Sequence, residues 1–158
     1  IPPMKTKRSN AYLNFSPRAV HRLFQLALTG LWGWFALKFF LTEGQAAMLA
    51  ASGVCLLTGV VAAIVVFLSD LSFIAHAPEQ DIDEYQLKQR NRAYLATLRY
   101  GCGALALAWL ARAVGGPRAV VSVNVLDNFI LVLFLTLLIA PAGFLAQRLL
   151  ADEEAPAR

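Results

Sequence analysis

The chain has 158 residues, of which 58% are hydrophobic and 15% are charged. This composition is too apolar for an ordinary soluble domain of this length and predicts an integral membrane protein. The formal net charge is +4, but no nucleic-acid-binding motif accompanies the basic residues, so no nucleic-acid partner is expected.

Four apolar stretches have about the 20 residues that a helix needs to cross a bilayer. They lie at about 22–42, 46–69, 93–114 and 125–147. A segment in lipid must satisfy its own backbone hydrogen bonds, so each is expected to be a helix. The predicted fold is all-α: a polytopic membrane protein with four transmembrane helices in two antiparallel hairpins. This domain covers 16–150, between a basic arm at 1–15 and a polar tail at 151–158.

The distribution of Lys and Arg predicts the orientation. If the N-terminus is cytoplasmic, eleven of these residues fall on the inner side and three on the outer side, namely Lys38, Arg112 and Arg118. This bias predicts cytoplasmic termini, a bacterial-type inner membrane and an attraction to anionic lipids.

Helix one is predicted to begin at Ser16-Pro17, because serine is a favoured N-cap and proline suits the first helical position. Trp32 and Trp34 are expected to anchor its outer half at the membrane interface. Gly44 suits the end of the helix, and the short connection predicts a tight hairpin with helix two.

Helices two and three carry stripes of small residues, which allow helices to approach closely in lipid. The stripes predict a packing seam between these two helices. Their members are Ala51, Cys55, Gly59 and Ala63 on helix two and Gly101, Ala104 and Ala108 on helix three. Cys55 and Cys102 are interpreted as apolar filling rather than as a redox pair.

The connector at 70–92 contains most of the charge in the middle of the chain. Asp81 is expected to cap a helix, with Glu84 in the capping-box position, and this helix is expected to run from the cytoplasm into span three. Its charges either serve the helix end and the headgroups or form a docking surface for a partner. The candidate interaction residues are Asp81, Asp83, Glu84, Lys88, Arg90, Arg92 and Arg99.

Arg99 falls inside the third predicted span, where a charge indicates a function by default. Snorkelling to the inner headgroups or pairing with Asp70 is the favoured interpretation. Lys38 is expected near Glu43 and Asp127 at the outer side. Pro141 is expected to kink helix four.

His21 and His76 are the two candidates for ligating a b-type haem. The loop position of His76 argues against that assignment, so no cofactor is predicted. The chain shows no metal-ligand cluster, Gly-rich phosphate loop or nucleophile paired with a base, and no catalytic residue is assigned.

These features favour a non-enzymatic role as an accessory, assembly or stabilising subunit of a larger integral membrane complex. Its partners would be other membrane subunits, bound through helix packing and the charged helix extension. Two alternatives stay open: a small homo-oligomeric transporter or channel with Arg99, Lys38 or Asp127 along its path, and a haem- or quinone-associated subunit of an electron-transfer complex.

Overall fold

The computed structural model describes residues 13–40, 46–115 and 123–154. This part of the chain is all-α, as predicted. Its five helices are α1 (Pro17–Phe40), α2 (Ala46–Phe67), α3 (Asp70–His76), α4 (Glu84–Gly115) and α5 (Val123–Glu154), with a 3-10 turn at Glu79–Asp81 before α4. The predicted sites at Glu43, Gly44 and Arg118 lie outside the described residues.

Side-chain caps set the helix starts. The Ser16 hydroxyl accepts a hydrogen bond from the Ala19 amide at 3.3 Å, so the predicted start of α1 is confirmed. The predicted cap at Asp81 is wrong, because Asp81 ends the 3-10 turn and Asp83 Oδ1 accepts the Gln86 amide at 2.7 Å instead. The helix nevertheless runs unbroken from Glu84 to Gly115.

The short helix α3 was not predicted. Its N-cap is Ser69, whose hydroxyl accepts the Ser72 amide at 3.4 Å. Next to this cap, the Leu13 amide donates to the Leu68 carbonyl at 3.1 Å, and the Asp70 amide donates to the Leu13 carbonyl at 3.3 Å. The segment before α1 therefore lies against the α2–α3 junction.

The helices pack in the order α2, α1, α5, α4, with α3 against α5 at one end. Helices α1 and α2 run antiparallel: a Cβ on Gly30 would lie 2.7 Å from the Gly59 Cα, and a Cβ on Gly33 would lie 3.8 Å from Cys55 Sγ. Helices α4 and α5 also run antiparallel, because Gly101 contacts Leu137 while Gln89 contacts Asp152.

The predicted seam between helix two and helix three (α2 and α4) is wrong. The extensive contacts of α2 are with α1, and those of α4 are with α5. Gly59 lies against Leu31 of α1, whereas Gly101 lies against Leu137 of α5. Each small-residue stripe therefore packs against a different helix.

The larger core cluster joins all five described helices, with α4 contributing Ala93, and includes Val20, Phe24, Val66 and Leu145. A smaller cluster surrounds Leu31, Trp34 and Val132. Pro141 is buried inside α5, and the helix continues through it to Glu154. The kink at this residue stays a prediction.

Among the described residues, two helical segments are long and apolar enough to cross a membrane, Ala46–Phe67 and Asn124–Glu153. Only 28% of the most apolar window of the first is buried, compared with 56% for the second. Helix α2 therefore has most of its apolar surface outside the core, unlike a core helix of a soluble protein. The crossings by α1 and α4 stay predictions; Arg99 and Arg112 lower the hydropathy of α4.

Candidate functional site

A group of polar side chains joins the N-terminal end of α4 to the C-terminal end of α5. Asp152 Oδ2 accepts hydrogen bonds from the Tyr85 hydroxyl at 2.6 Å and from Gln89 Nε2 at 2.6 Å. On the neighbouring face of α4, Arg90 bonds to Glu79. We call these five residues the polar end cluster.

Arg90 is a buried structural residue rather than part of an accessible charged surface. Its Nη1 donates to the Ala77 carbonyl at 2.6 Å, and its Nη2 lies 3.1 Å from Glu79 Oε1. The Tyr94 hydroxyl donates to the Ala75 carbonyl at 3.0 Å. These donors satisfy carbonyls at the C-terminal end of α3, where a positive charge is also favoured by the helix dipole.

The Tyr85 hydroxyl has a raised pKa. The main cause is its hydrogen bond to Asp152, followed by partial desolvation and the negative charge of that carboxylate. Ionisation would remove the donated proton and place two negative charges side by side.

A small cavity adjoins the polar end cluster and has a volume of about 10 Å³. It is lined by Ile74, Tyr85, Gln86, Gln89, Leu145 and Leu149. This volume is about that of one water molecule. The cavity is thus far smaller than the few hundred Å³ typical of ligand sites.

A second polar group lies deep between three helices. Trp32 Nε1 of α1 donates to the Tyr100 hydroxyl of α4 at 2.6 Å, and that hydroxyl lies 3.5 Å from Thr136 Oγ1 of α5. Thr136 donates in turn to the Leu133 carbonyl at 3.0 Å. Aromatic rings pack beside it, with Trp32 and Phe129 centroids 5.9 Å apart.

The sequence predicted that Trp32 anchors the membrane interface, and this interhelical link was not predicted. The available signal was chemical: an indole N–H and a phenol in apolar stretches each need a hydrogen-bond partner.

The structure separates the predicted interaction residues. Asp83 caps α4, Arg90 is buried, and the side chain of Asp81 lies outside the described part. The remaining four are exposed on α4: Glu84, Lys88, Arg92 and Arg99.

Between described residues, the one ion pair within 4.0 Å joins Arg90 and Glu79. Two ion pairs suggested by the sequence are therefore not formed there. The expected pairing of Arg99 with Asp70 is therefore wrong. The pairing of Lys38 with Asp127 is also wrong.

The predicted helix-packing residues fall into three groups by burial. Gly59, Ala63 and Gly101 are buried, and Cys55, Ala104 and Ala108 are half-buried. Ala51 is exposed in the N-terminal half of α2.

The two histidines have local partners. His21 Nε2 lies 3.1 Å from Gln25 Nε2 on α1. The Nδ1 of the exposed His76 lies 2.8 Å from the Ser72 carbonyl, and its ring is 6.3 Å from the Phe67 ring. Within the described residues, no three His, Cys, Asp or Glu side chains gather as metal ligands.

No family model matches the chain, and neither a curated protein nor a solved structure is significantly similar to it.

Proposed function

We propose that this chain is an accessory, assembly or stabilising subunit of a larger integral membrane complex, with a non-enzymatic role. The observation that carries the proposal is the exterior of α2 and α4, which is largely apolar and unpaired within the described chain. Large exposed side chains there are Leu49, Val54, Leu57, Val61 and Ile64 on α2 and Leu98, Leu105, Leu107, Trp109 and Val114 on α4.

This exterior supports membrane embedding. Leu57 and Trp109 are each 70% exposed, and Val114 is 81% exposed. In water, each Å² of such apolar surface costs about 25 cal/mol relative to burial. Contiguous exposed patches of this kind mark contact with lipid or with another protein.

The helix directions support four crossings with cytoplasmic termini. The polar end cluster, the start of α1 and the end of α5 lie at one end of the bundle, as the Leu13 contact with Ser69 and the Tyr85 contact with Asp152 indicate. Six of the inner-side Lys and Arg counted from the sequence lie toward this same end, namely Arg18, Arg22, Lys88, Arg90, Arg92 and Arg148. The positive-inside rule would assign that end to the cytoplasm of a bacterial-type inner membrane.

The described chain would bind a partner mainly through its exposed surface rather than through a pocket. The cavity beside the polar end cluster has room for about one water molecule. Helix α4, whose main contacts are with α5, leaves a broad apolar surface exposed. Lys88 and Arg92 are exposed near the polar end, where they can reach anionic headgroups or a cytoplasmic partner.

Purification from native membranes in a mild detergent tests the proposal. We expect the chain to co-purify at fixed stoichiometry with at least one other integral membrane protein, and to return to that complex after dilution and reconcentration. Recovery as a lone monomer or as a homo-oligomer would contradict the accessory role.

A further inference from the structure

Arg99 lies near the middle of the bundle along its length. The adjacent Tyr100 contacts Thr136, which is central in the apolar part of α5. Its hydrogen-bond donor Trp32 is on α1 beside Gly33, which contacts Cys55 near the midpoint of α2. The rise from Gln89, at the polar end, to Tyr100 is about 16 Å along α4, and half of a hydrocarbon core is about 15 Å.

Arg99 is on the face of α4 opposite α5. Gly101 contacts Leu137 of α5, and Thr97, about one turn earlier on α4, is also buried. The residues about half a turn away are exposed. These exposed residues are Leu95, Arg99, Cys102, Gly103, Ala106 and Leu110. We call this surface the Arg99 face.

The Arg99 face combines a charge with room for a neighbouring backbone. A Cβ added to Gly103 would meet nothing within 4 Å, and Cys102 and Ala106 are small residues four positions apart. Such spacing lets a second helix approach closely. The Arg99 guanidinium forms no hydrogen bond or ion pair with the described residues.

Charge complementarity indicates which kind of partner would bind the Arg99 face. An arginine at this depth calls for a carboxylate or a comparable acceptor, because few other groups in the hydrocarbon can compensate its charge. All ten Asp and Glu residues of the chain lie outside the central parts of the four apolar stretches. A second copy, in either orientation, therefore brings no carboxylate to this level.

We propose that the Arg99 face docks a transmembrane helix of a different protein, which carries an Asp or Glu near the middle of the membrane. This inference rests on the proposed accessory function and names the chemistry of the partner. The carboxylate pairs with Arg99 while the partner backbone packs over Gly103 and Ala106.

Photo-crosslinking in native membranes tests the inference. The photoreactive residue benzoylphenylalanine replaces Ala106 on the Arg99 face or, as a matched position, the exposed Leu57 of α2. We expect the Ala106 position to give an adduct with a different membrane protein at about tenfold higher yield than the Leu57 position. The adducted span must contain an Asp or Glu near its middle.

Two substitutions examine the pairing and the packing separately. Arg99→Leu is expected to lower the adduct yield about tenfold, whereas Arg112→Leu, at an exposed arginine nearer the end of α4, leaves it unchanged. Gly103→Leu is expected to block docking without disturbing this chain, since the site is open; Gly53→Leu, equally open on α2, is its control. Unfolding of each variant in detergent checks that the bundle stays folded.

Charge exchange gives the most specific result. Arg99→Glu should abolish the adduct, and changing the partner's carboxylate to Lys should restore it. The inference is overturned by adducts only with lipid, which indicate snorkelling to headgroups, by adducts between two copies of this chain, or by a partner span without a carboxylate. If Leu57 instead captures a different protein, the accessory role survives and docking on α4 does not. If both positions fail and the chain purifies alone, both proposals fail.

Discussion

Gly30 and Gly59 bring the backbones of α1 and α2 into direct contact. A Cβ on Gly30 would lie 2.7 Å from both the Cα and the amide nitrogen of Gly59, and a Cβ on Gly59 would lie 2.7 Å from the Leu31 nitrogen. The clash would be with backbone atoms rather than with flexible side-chain ends. The two helices would have to move apart to accommodate even one methyl group.

We therefore expect Gly30→Ala and Gly59→Ala each to lower the free energy of unfolding by about 1–3 kcal/mol, because overpacked sites displace their surroundings. Gly53→Ala on α2 is the control: its Cβ would meet nothing within 4 Å, and alanine has the higher helix propensity. Reversible unfolding in mixed detergent micelles measures the difference. Equal stability of the three variants would refute the close contact.

The hydrogen bond of 2.6 Å between Trp32 and Tyr100 links α1 to α4. Tyr100→Phe removes the acceptor and leaves the indole N–H without its partner. Within a membrane, such bonds contribute about 0.6–2 kcal/mol.

A double-mutant cycle with Trp32→Phe and Tyr100→Phe isolates that contribution. We expect the double variant to be less destabilised than the sum of the single variants by about this amount. Strict additivity would mean that the two groups do not interact.

Arg90 differs in role from its exposed neighbours Lys88 and Arg92. Arg90→Met removes the donor to the Ala77 carbonyl, and we expect a loss of about 1–3 kcal/mol, since one acceptor is left unsatisfied. The ion pair with Glu79 adds little, because that carboxylate side chain is 75% exposed and exposed pairs are weak. Hydrogen exchange of α3 amides should accelerate in this variant and stay unchanged in Lys88→Met and Arg92→Met. Equal exchange rates of the α3 amides in all three variants would contradict the role of Arg90 in holding α3 in place.

The raised pKa of Tyr85 predicts that the stability of the polar end cluster depends on pH. Because its pKa is raised in the folded state, folding retains a proton that the unfolded chain releases above about pH 10. The stabilising contribution is therefore complete below this pH and is lost as the pH rises through the folded pKa. Difference titration of tyrosinate absorbance between the wild type and Tyr85→Phe measures the shift, and Asp152→Asn should lower the Tyr85 pKa. A Tyr85 titration unaffected by Asp152→Asn would exclude the bond as its cause.

Local chemistry made parts of the fold predictable from the sequence. Ser16 followed by Pro17 gave the start of α1, and the short connection after α1 predicted the antiparallel pairing that Gly30 and Gly59 exhibit. The choice between Asp81 and Asp83 as a cap was not determined, because either aspartate could accept an amide three positions later. In the structure Asp81 ends a 3-10 turn, and Asp83 is the residue that accepts the amide.

The sequence pattern did not show which helices pack against each other. A small-residue stripe indicates close packing but does not identify its partner, so Gly59 and Gly101 were assigned to each other rather than to α1 and α5. Gly143 is a similar case: a Cβ there would collide with the Phe24 ring of α1. The buried role of Arg90 also depends on a tertiary contact, with the end of α3.

The central claim is that the chain crosses the membrane four times, with α4 as one of the crossings. Cysteines introduced at Gln86 and Gly116, in a chain whose Cys55 and Cys102 are replaced by alanine, are labelled with a membrane-impermeant maleimide in intact cells and in inverted vesicles. The account predicts labelling of position 86 only from the cytoplasmic side and of position 116 only from the opposite side. Labelling of both positions from the same side would contradict it.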